Sequence, residues 1–176
     1  MRLIPLTHQL LQHYNNSRTE LESALDLNHS EIKFDPHYKT EIEGALINFC
    51  LPKTLEFPDR YHWFTTWEIV LKSDNISVGG IGFNSDPNGK KAVEMGYVIY
   101  ENHQAKGYAA EALHVLTQWA LAQDEVEVII VQTDSDNILS QKILDKNGFI
   151  RIKEVNNLLT YKLQKPLSII HEAAPK

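Results

Sequence analysis

Cys50 is the single cysteine of the 176-residue chain. One thiol excludes an intramolecular disulfide and a cysteine-rich zinc site. Set on a helix face, it is expected to be a buried structural group. No apolar run approaches the ~20 residues that a membrane-spanning helix needs. The opening residues, M-R-L-I-P-L-T, lack the apolar core of a signal peptide. His8, His13, His29, His37, His114 and His171 show no metal-ligand spacing, so no metal is expected. Positive charge is also in deficit. The formal net charge of −6 argues against nucleic-acid binding and mildly favours cationic partners, without locating a site. A cytoplasmic protein with no membrane association, monomeric or homodimeric, is the expectation. What is present is ordinary for a globular chain: 43% hydrophobic and 23% charged residues, which excludes a disordered or fibrous class. The length suits one domain, expected over residues 1–165, with residues 166–176 as a loose extension lacking any clear period.

The most informative stretch is 93–122. Residues 93–100 are β-branched and aromatic around Gly96, which reads as a strand. From Gly107 on, Ala109, Ala112, Leu113, Leu116, Trp119 and Ala120 recur at helical spacing and form one apolar stripe. Between strand and helix lies Q-A-K-G-Y-A, residues 104–109. Gly107 permits backbone angles other residues avoid, and the free N–H groups and positive dipole of a helix start suit a phosphate.

Gln104, Gly107 and Ala109 match the Q/R-x-x-G-x-G/A signature of the GNAT family of N-acetyltransferases. A second block follows in the right order: Asn137 and Ser140 as N-x-x-S, then L-D-K-N-G-F at 144–149 as L-x-K-x-G-F. The chain therefore resembles this family over roughly residues 1–165, and most clearly over 63–150. The branch it is most similar to is that of the ribosomal-protein N-terminal acetyltransferases.

Taken in order, residues 2–6 form a short strand candidate. Thr7 caps a helix reaching Leu25 that N-N-S at 15–17 can split. Asp35-Pro36 begins a second helix over 38–51, stopped by Pro52. Strands are expected at 63–72, with Trp67, Ile69 and Leu71 alternating against Glu68 and Lys72, then at 76–83 and 92–100 in an antiparallel meander. The helix 107–122 crosses to a buried strand at 126–132. Ser135 or Asp136 caps a helix over 138–146 that Asn147-Gly148 ends. Strands 149–155 and 158–163 make a hairpin around Asn156-Asn157. The order of elements predicts an α/β fold, antiparallel first and partly parallel later. The resemblance implies a mixed, mostly antiparallel sheet of about seven strands with helices on both faces.

The activity implied is transfer of an acetyl group from acetyl-CoA directly to a primary amine, either a protein N-terminus or a small amine. Three needs follow: the thioester must be held, the amine must be neutral, and the developing oxyanion must meet a donor. The resemblance assigns the pyrophosphate to the backbone of Gln104, Ala105, Lys106, Gly107, Tyr108 and Ala109. Val98, Ile99 and Tyr100 lie beside the pantetheine arm on a strand that splays near a bulge at Gly96, and a backbone N–H there meets the oxyanion. Asn137 and Ser140 contact the arm, or else serve only as the cap and first turn of a helix. Many members carry a tyrosine that protonates the departing thiolate where Leu144 stands here; Ser140 is the replacement acid. Glu94, in E-x-G-Y, matches a glutamate of the same branch that takes the amine proton, directly or through water, or that braces the strand. His62 and His103 are the alternative bases. His37, Tyr38 and residues 57–62 are candidates for acceptor contact. The competing class is a non-catalytic acyl-CoA-binding sensor.

Overall fold

The computed structural model describes residues 1–33, 36–87 and 89–166, leaving aside the side chains of residues 36–38. The chain begins with strand β1 (Arg2–Pro5) and the helices α1 (His8–Asn16) and α2 (Arg18–Ala24). Thr7 caps α1 by accepting from the Leu10 amide, and Ser17 caps α2 by accepting from Glu20. The split expected at residues 15–17 therefore arises because Ser17 is extended and starts a second helix.

The next helix does not stop at Pro52. Helix α3 (Pro36–Ala45) passes through a π-helical turn (Leu46–Cys50) into α4 (Leu51–Glu56). The Leu51 amide bonds to the Leu46 carbonyl, five residues back. That wider turn shifts the bonding register just where a proline ring would clash with a carbonyl four residues earlier, so the chain continues helical. Residues 57–62, expected as a loop, fall largely in a 3-10 turn (Pro58–Trp63), which also takes Trp63 out of the strand expected from residue 63.

Six strands and two helices follow: β2 (Thr66–Leu71), β3 (Ile76–Phe83), β4 (Ala92–Ile99), α5 (Tyr108–Leu121), β5 (Val128–Asp134), α6 (Ile138–Lys146), β6 (Ile150–Val155) and β7 (Leu158–Gln164), the last two closing the sheet beyond β5. The sheet runs β1-β2-β3-β4-β5-β7-β6. Only the β4–β5 contact is parallel; the others are antiparallel. This is the seven-stranded mixed sheet that the family resemblance implies. The β6–β7 turn is Asn156-Asn157, both at positive φ, the geometry favoured in a two-residue hairpin. Helix α6 ends at Gly148 (φ +80°), where the amides of Gly148 and Phe149 bond to the carbonyls of Asp145 and Leu144. Its cap is Asn137, and neither Ser135 nor Asp136: the Asn137 side chain accepts from the Ser140 amide at 3.0 Å.

The main core lies between the sheet and α5. Ala109, Ala112, Leu113, Leu116 and Ala120 are buried against Ile81, Phe83, Val93 and Met95. Trp119 stays half-buried and joins the rings of Trp63, Trp67 and Phe83 at centroid distances of 4.9, 5.0 and 6.0 Å. Each buried leucine contributes about 1.5–3 kcal/mol. A second cluster, Leu6, Leu11, Leu21, Leu46 and Cys50, ties α1 and α2 to the π turn. Burial raises the Cys50 thiol to about 11, which suits a structural residue.

Glu68 departs from the alternating pattern expected of β2. It is buried, not solvated. Arg18 of α2 reaches it through two hydrogen bonds of 2.8 and 2.7 Å, and the Ser77 hydroxyl donates to the same carboxylate. The strand is thus covered on both faces, and a carboxylate survives there because it is paired and hydrogen-bonded.

Candidate active site

β4 is the strand on which the site depends. Along β3 it is paired from Met95 to Ile99. Along β5 it is paired only through Ala92↔Val128, Val93↔Ile129 and Glu94↔Ile130. Beyond Glu94 the two strands part, and one edge of β4 is left without a strand partner. No register shift accompanies the separation: the β3–β4 ladder runs straight through Gly82↔Gly96, so the bulge expected at Gly96 is absent. Divergence of two parallel strands, one leading to α5 and the other to α6, opens the gap instead.

The opening belongs to a groove of about 1310 Å³. Two rows of paired residues cross its floor on the face away from α5: Glu68–Gly80–Val98 and Thr66–Gly82–Gly96. At Gly80, Gly82 and Gly96 this floor carries no side chain. A Cβ at Gly82 would meet the Thr65 carbonyl oxygen at 2.6 Å, whereas one at Gly96 would enter open space. The opposite face carries the row Trp67–Ile81–Tyr97. From there the Tyr97 hydroxyl reaches Ser140 Oγ on α6 at 2.9 Å. Burial raises the Tyr97 phenol above its ordinary value, so it keeps its proton.

At the far end of β4 the chain turns through 104–107 into α5. Gly107 is left-handed (φ +85°) and no side chain caps the helix. The first-turn amides of a 14-residue helix therefore have no side-chain acceptor, and nothing lies within 4 Å of where a Gly107 Cβ would be. An anion fits such a terminus. The Gln104 side chain braces the turn by donating to the Ile99 carbonyl at 3.0 Å.

Most of the residues expected at the site line this groove. Val98, Ile99 and Tyr100 come from β4 and its end, Gln104, Ala105, Gly107, Tyr108 and Ala109 from the turn and α5, and Asn137 and Ser140 from α6. The Tyr100 ring is also 5.8 Å beneath the Arg18 guanidinium. Two do not line it. Lys106 is exposed and donates to the Asn102 carbonyl at 3.1 Å, closing its own loop. Glu94 is the last residue of β4 paired with β5, half-buried, two residues before Gly96 on the same face. His103 lines the groove, and burial together with Lys106 lowers its pKa, which keeps the imidazole neutral.

Residues 57–62 lie outside the groove lining. Phe57 packs on Phe64 at 5.2 Å, Arg60 pairs with Glu125 at 3.2 Å, and His62 stands on Trp119 at 5.2 Å. The side chains of His37 and Tyr38 are outside the described residues, as are residues 167–176. Reading the strands singly missed Tyr97, Gly80 and Gly82. Period-two alternation in V-G-G-I-G-F puts the two glycines on one face, and Tyr97 is the Y of E-x-G-Y. Among the described residues no group of three or more acidic, histidine or cysteine side chains could hold a metal, and no helix is long and apolar enough to cross a membrane.

Residues 14–150 fit the acetyltransferase (GNAT) domain model, so the chain belongs to the GNAT acetyltransferase family. Among curated relatives it is 41% identical over 87 residues to an uncharacterized N-acetyltransferase, YjdG, of Bacillus subtilis (strain 168), covering 49% of this chain and 52% of that protein. It is 30% identical over 82 residues to the ribosomal-protein-serine acetyltransferase of Escherichia coli (strain K12), covering 47% and 45%. The chain thus spans about half the length of these relatives. Among solved structures, a ribosomal L7/L12 alpha-N-protein acetyltransferase in complex with coenzyme A shares the fold with a TM-score of 0.61, 16% identity and 92% coverage of both chains.

Proposed function

We propose that this protein transfers an acetyl group from acetyl-CoA directly to a primary amine. The observation that carries the reading is the parting of β4 and β5 after Glu94 and Ile130, which leaves a free strand edge leading to the uncapped start of α5. Bound there, acetyl-CoA supplies an activated acyl group. The chain supplies the rest. First-turn amides of α5 hold the pyrophosphate, and the free edge of β4, where the backbone groups of Tyr97 and Ile99 point away from β3, holds the arm and turns an N–H toward the carbonyl oxygen. Glu94 takes the amine proton, directly or through a water, from the face it shares with Gly96. Ser140 hands a proton to the departing sulfur. The glycine-floored trough on that same face is the side from which the amine enters. A protein N-terminus is the acceptor we favour over a small polyamine, by analogy with the ribosomal-protein relatives.

The test has two readings on one sample. Acetyl-CoA at a hundredfold excess over its Kd is expected to stabilise the fold by about 2.7 kcal/mol, a rise in Tm of roughly 5–10 °C. Thiol release is then followed across a panel of N-terminal peptides and small amines. Absence of any thermal shift overturns the acetyl-CoA site. Binding without turnover against every acceptor favours an acyl-CoA-binding module instead. That second reading has one observation behind it: Leu144 is fully buried and has no proton to give.

A further inference from the structure

The wall of the groove opposite the open edge of β4 carries a phenol that reaches across to α6. Tyr97 leaves β4 on the helix-facing side, in line with Trp67 and Ile81, and its hydroxyl ends 2.9 Å from Ser140 Oγ. Ser140 is itself fixed, since its amide donates to Asn137 Oδ1 at 3.0 Å in the first turn of α6. Both residues line the groove, and one turn further along α6 Leu144 is sealed in the core. An aliphatic hydroxyl alone is a poor acid for a departing thiolate, because the alkoxide left behind is far more basic than the thiolate it serves. In water a phenol ionises near 10 and a thiol near 8.5, a gap of about 1.5 units that burial widens for Tyr97. A serine joined to a phenol can pass on the phenol's proton and never become an alkoxide.

We propose that Tyr97 is a positioning residue for thiolate departure, aiming the Ser140 O–H at the CoA sulfur and replacing its proton from the tyrosine hydroxyl. The proposal rests on the acetyl-transfer reading above. The amine nitrogen forms its bond to the acetyl carbon, and the C–S bond breaks with its electron pair going to sulfur. The Ser140 Oγ proton moves to sulfur as the Tyr97 Oη proton moves to Ser140 Oγ. The proton released from the amine nitrogen returns through solvent to the phenolate, so the pair ends as it began. Burial, which holds the Tyr97 phenol protonated through the neutral range, keeps the donor loaded between turnovers.

The test needs no identified acceptor. Free CoA is bound to the wild type, Tyr97→Phe, Ser140→Ala and the double variant, and the ultraviolet absorbance of its thiolate is followed against pH. Acetyl-CoA affinity by calorimetry and Tm are the controls. An O–H aimed at sulfur favours the thiolate, so bound CoA ionises at lower pH in the wild type than in either variant. Tyr97→Phe is expected to raise that midpoint by about one pH unit, the scale of a hydrogen bond to a charged group. Ser140→Ala raises it at least as far, and the double variant no further than Ser140→Ala, because the two act as one unit. Ser140→Ala, on a half-buried first turn, reads the same bond from its other side should Tyr97→Phe perturb folding. A folded Tyr97→Phe with the wild-type midpoint overturns the role of Tyr97, as does an unshifted Ser140→Ala. Failure of the wild type to bind acetyl-CoA at all defeats the acetyl-transfer reading, a separate result.

Discussion

Two helices begin at the rim of the same groove, and their first turns are built in opposite ways. α6 opens on Asn137, whose side chain satisfies the Ser140 amide. α5 opens on Gly107 in the left-handed region, with no side chain over its first amides. A helix start costs free energy when its donors are unmet, and a side-chain cap is typically worth about 1 kcal/mol. The capped start closes its own donors; the bare one keeps them for something outside the chain. The first closes on itself; the second is the one we propose holds the pyrophosphate.

The comparison breaks most visibly at Gly107. Gly107→Glu places a Cβ at φ +85° and a negative charge at the bare helix start. Acetyl-CoA binding is expected to become undetectable by calorimetry at millimolar ligand, while the left-handed strain lowers stability by only about 1–2 kcal/mol. Retained affinity would move the phosphates away from α5.

A smaller effect separates holding from chemistry. Glu94→Gln leaves both helix starts untouched, so acetyl-CoA affinity is expected to stay near wild type. Turnover should fall by about 10², the scale of losing a general base. The proton to be removed sits on an amine that titrates near 7.7–8.0 for an N-terminus, so the deficit shrinks as pH rises past that range and the amine is neutral already. Measuring kcat/KM against pH in both proteins decides it. A joint fall in Tm and affinity without recovery at high pH would make Glu94 a brace of β4.

The smallest effect is at the capped helix. Asn137→Ala is expected to cost about 1 kcal/mol of stability in denaturant unfolding, since the Ser140 amide loses its acceptor. Acetyl-CoA affinity should change far less than with Gly107→Glu. A hundredfold loss of affinity here would mean that both helix starts hold the ligand.

Local chemistry carried much of this protein into view from its residues alone. Apolar spacing placed α5 nearly to its ends, Asn156-Asn157 set the last hairpin, and Gly148 ended α6. Gln104, Gly107, Asn137 and Ser140 were legible together through the two family motifs they match, and the structure brings them to one groove. Pro52 misled, since whether a proline stops a helix depends on the turn before it, and a π turn leaves no trace in the spacing of residues.

What only the tertiary structure decided concerns partners far apart in the chain. Glu68 alternates like a solvated residue, yet Arg18, 50 residues away, makes it a buried one. The gap at Gly96 comes from two strands diverging and not from a bulge, and divergence belongs to the pair, not to either strand. The hydrogen bond between Tyr97 and Ser140 joins residues 43 positions apart across that gap. Sequence determines what each short segment does with its own amides and apolar faces, because those interactions close within a few residues. Which segments come to face one another, and so which hydroxyls and carboxylates share a groove, is determined only when the sheet is assembled.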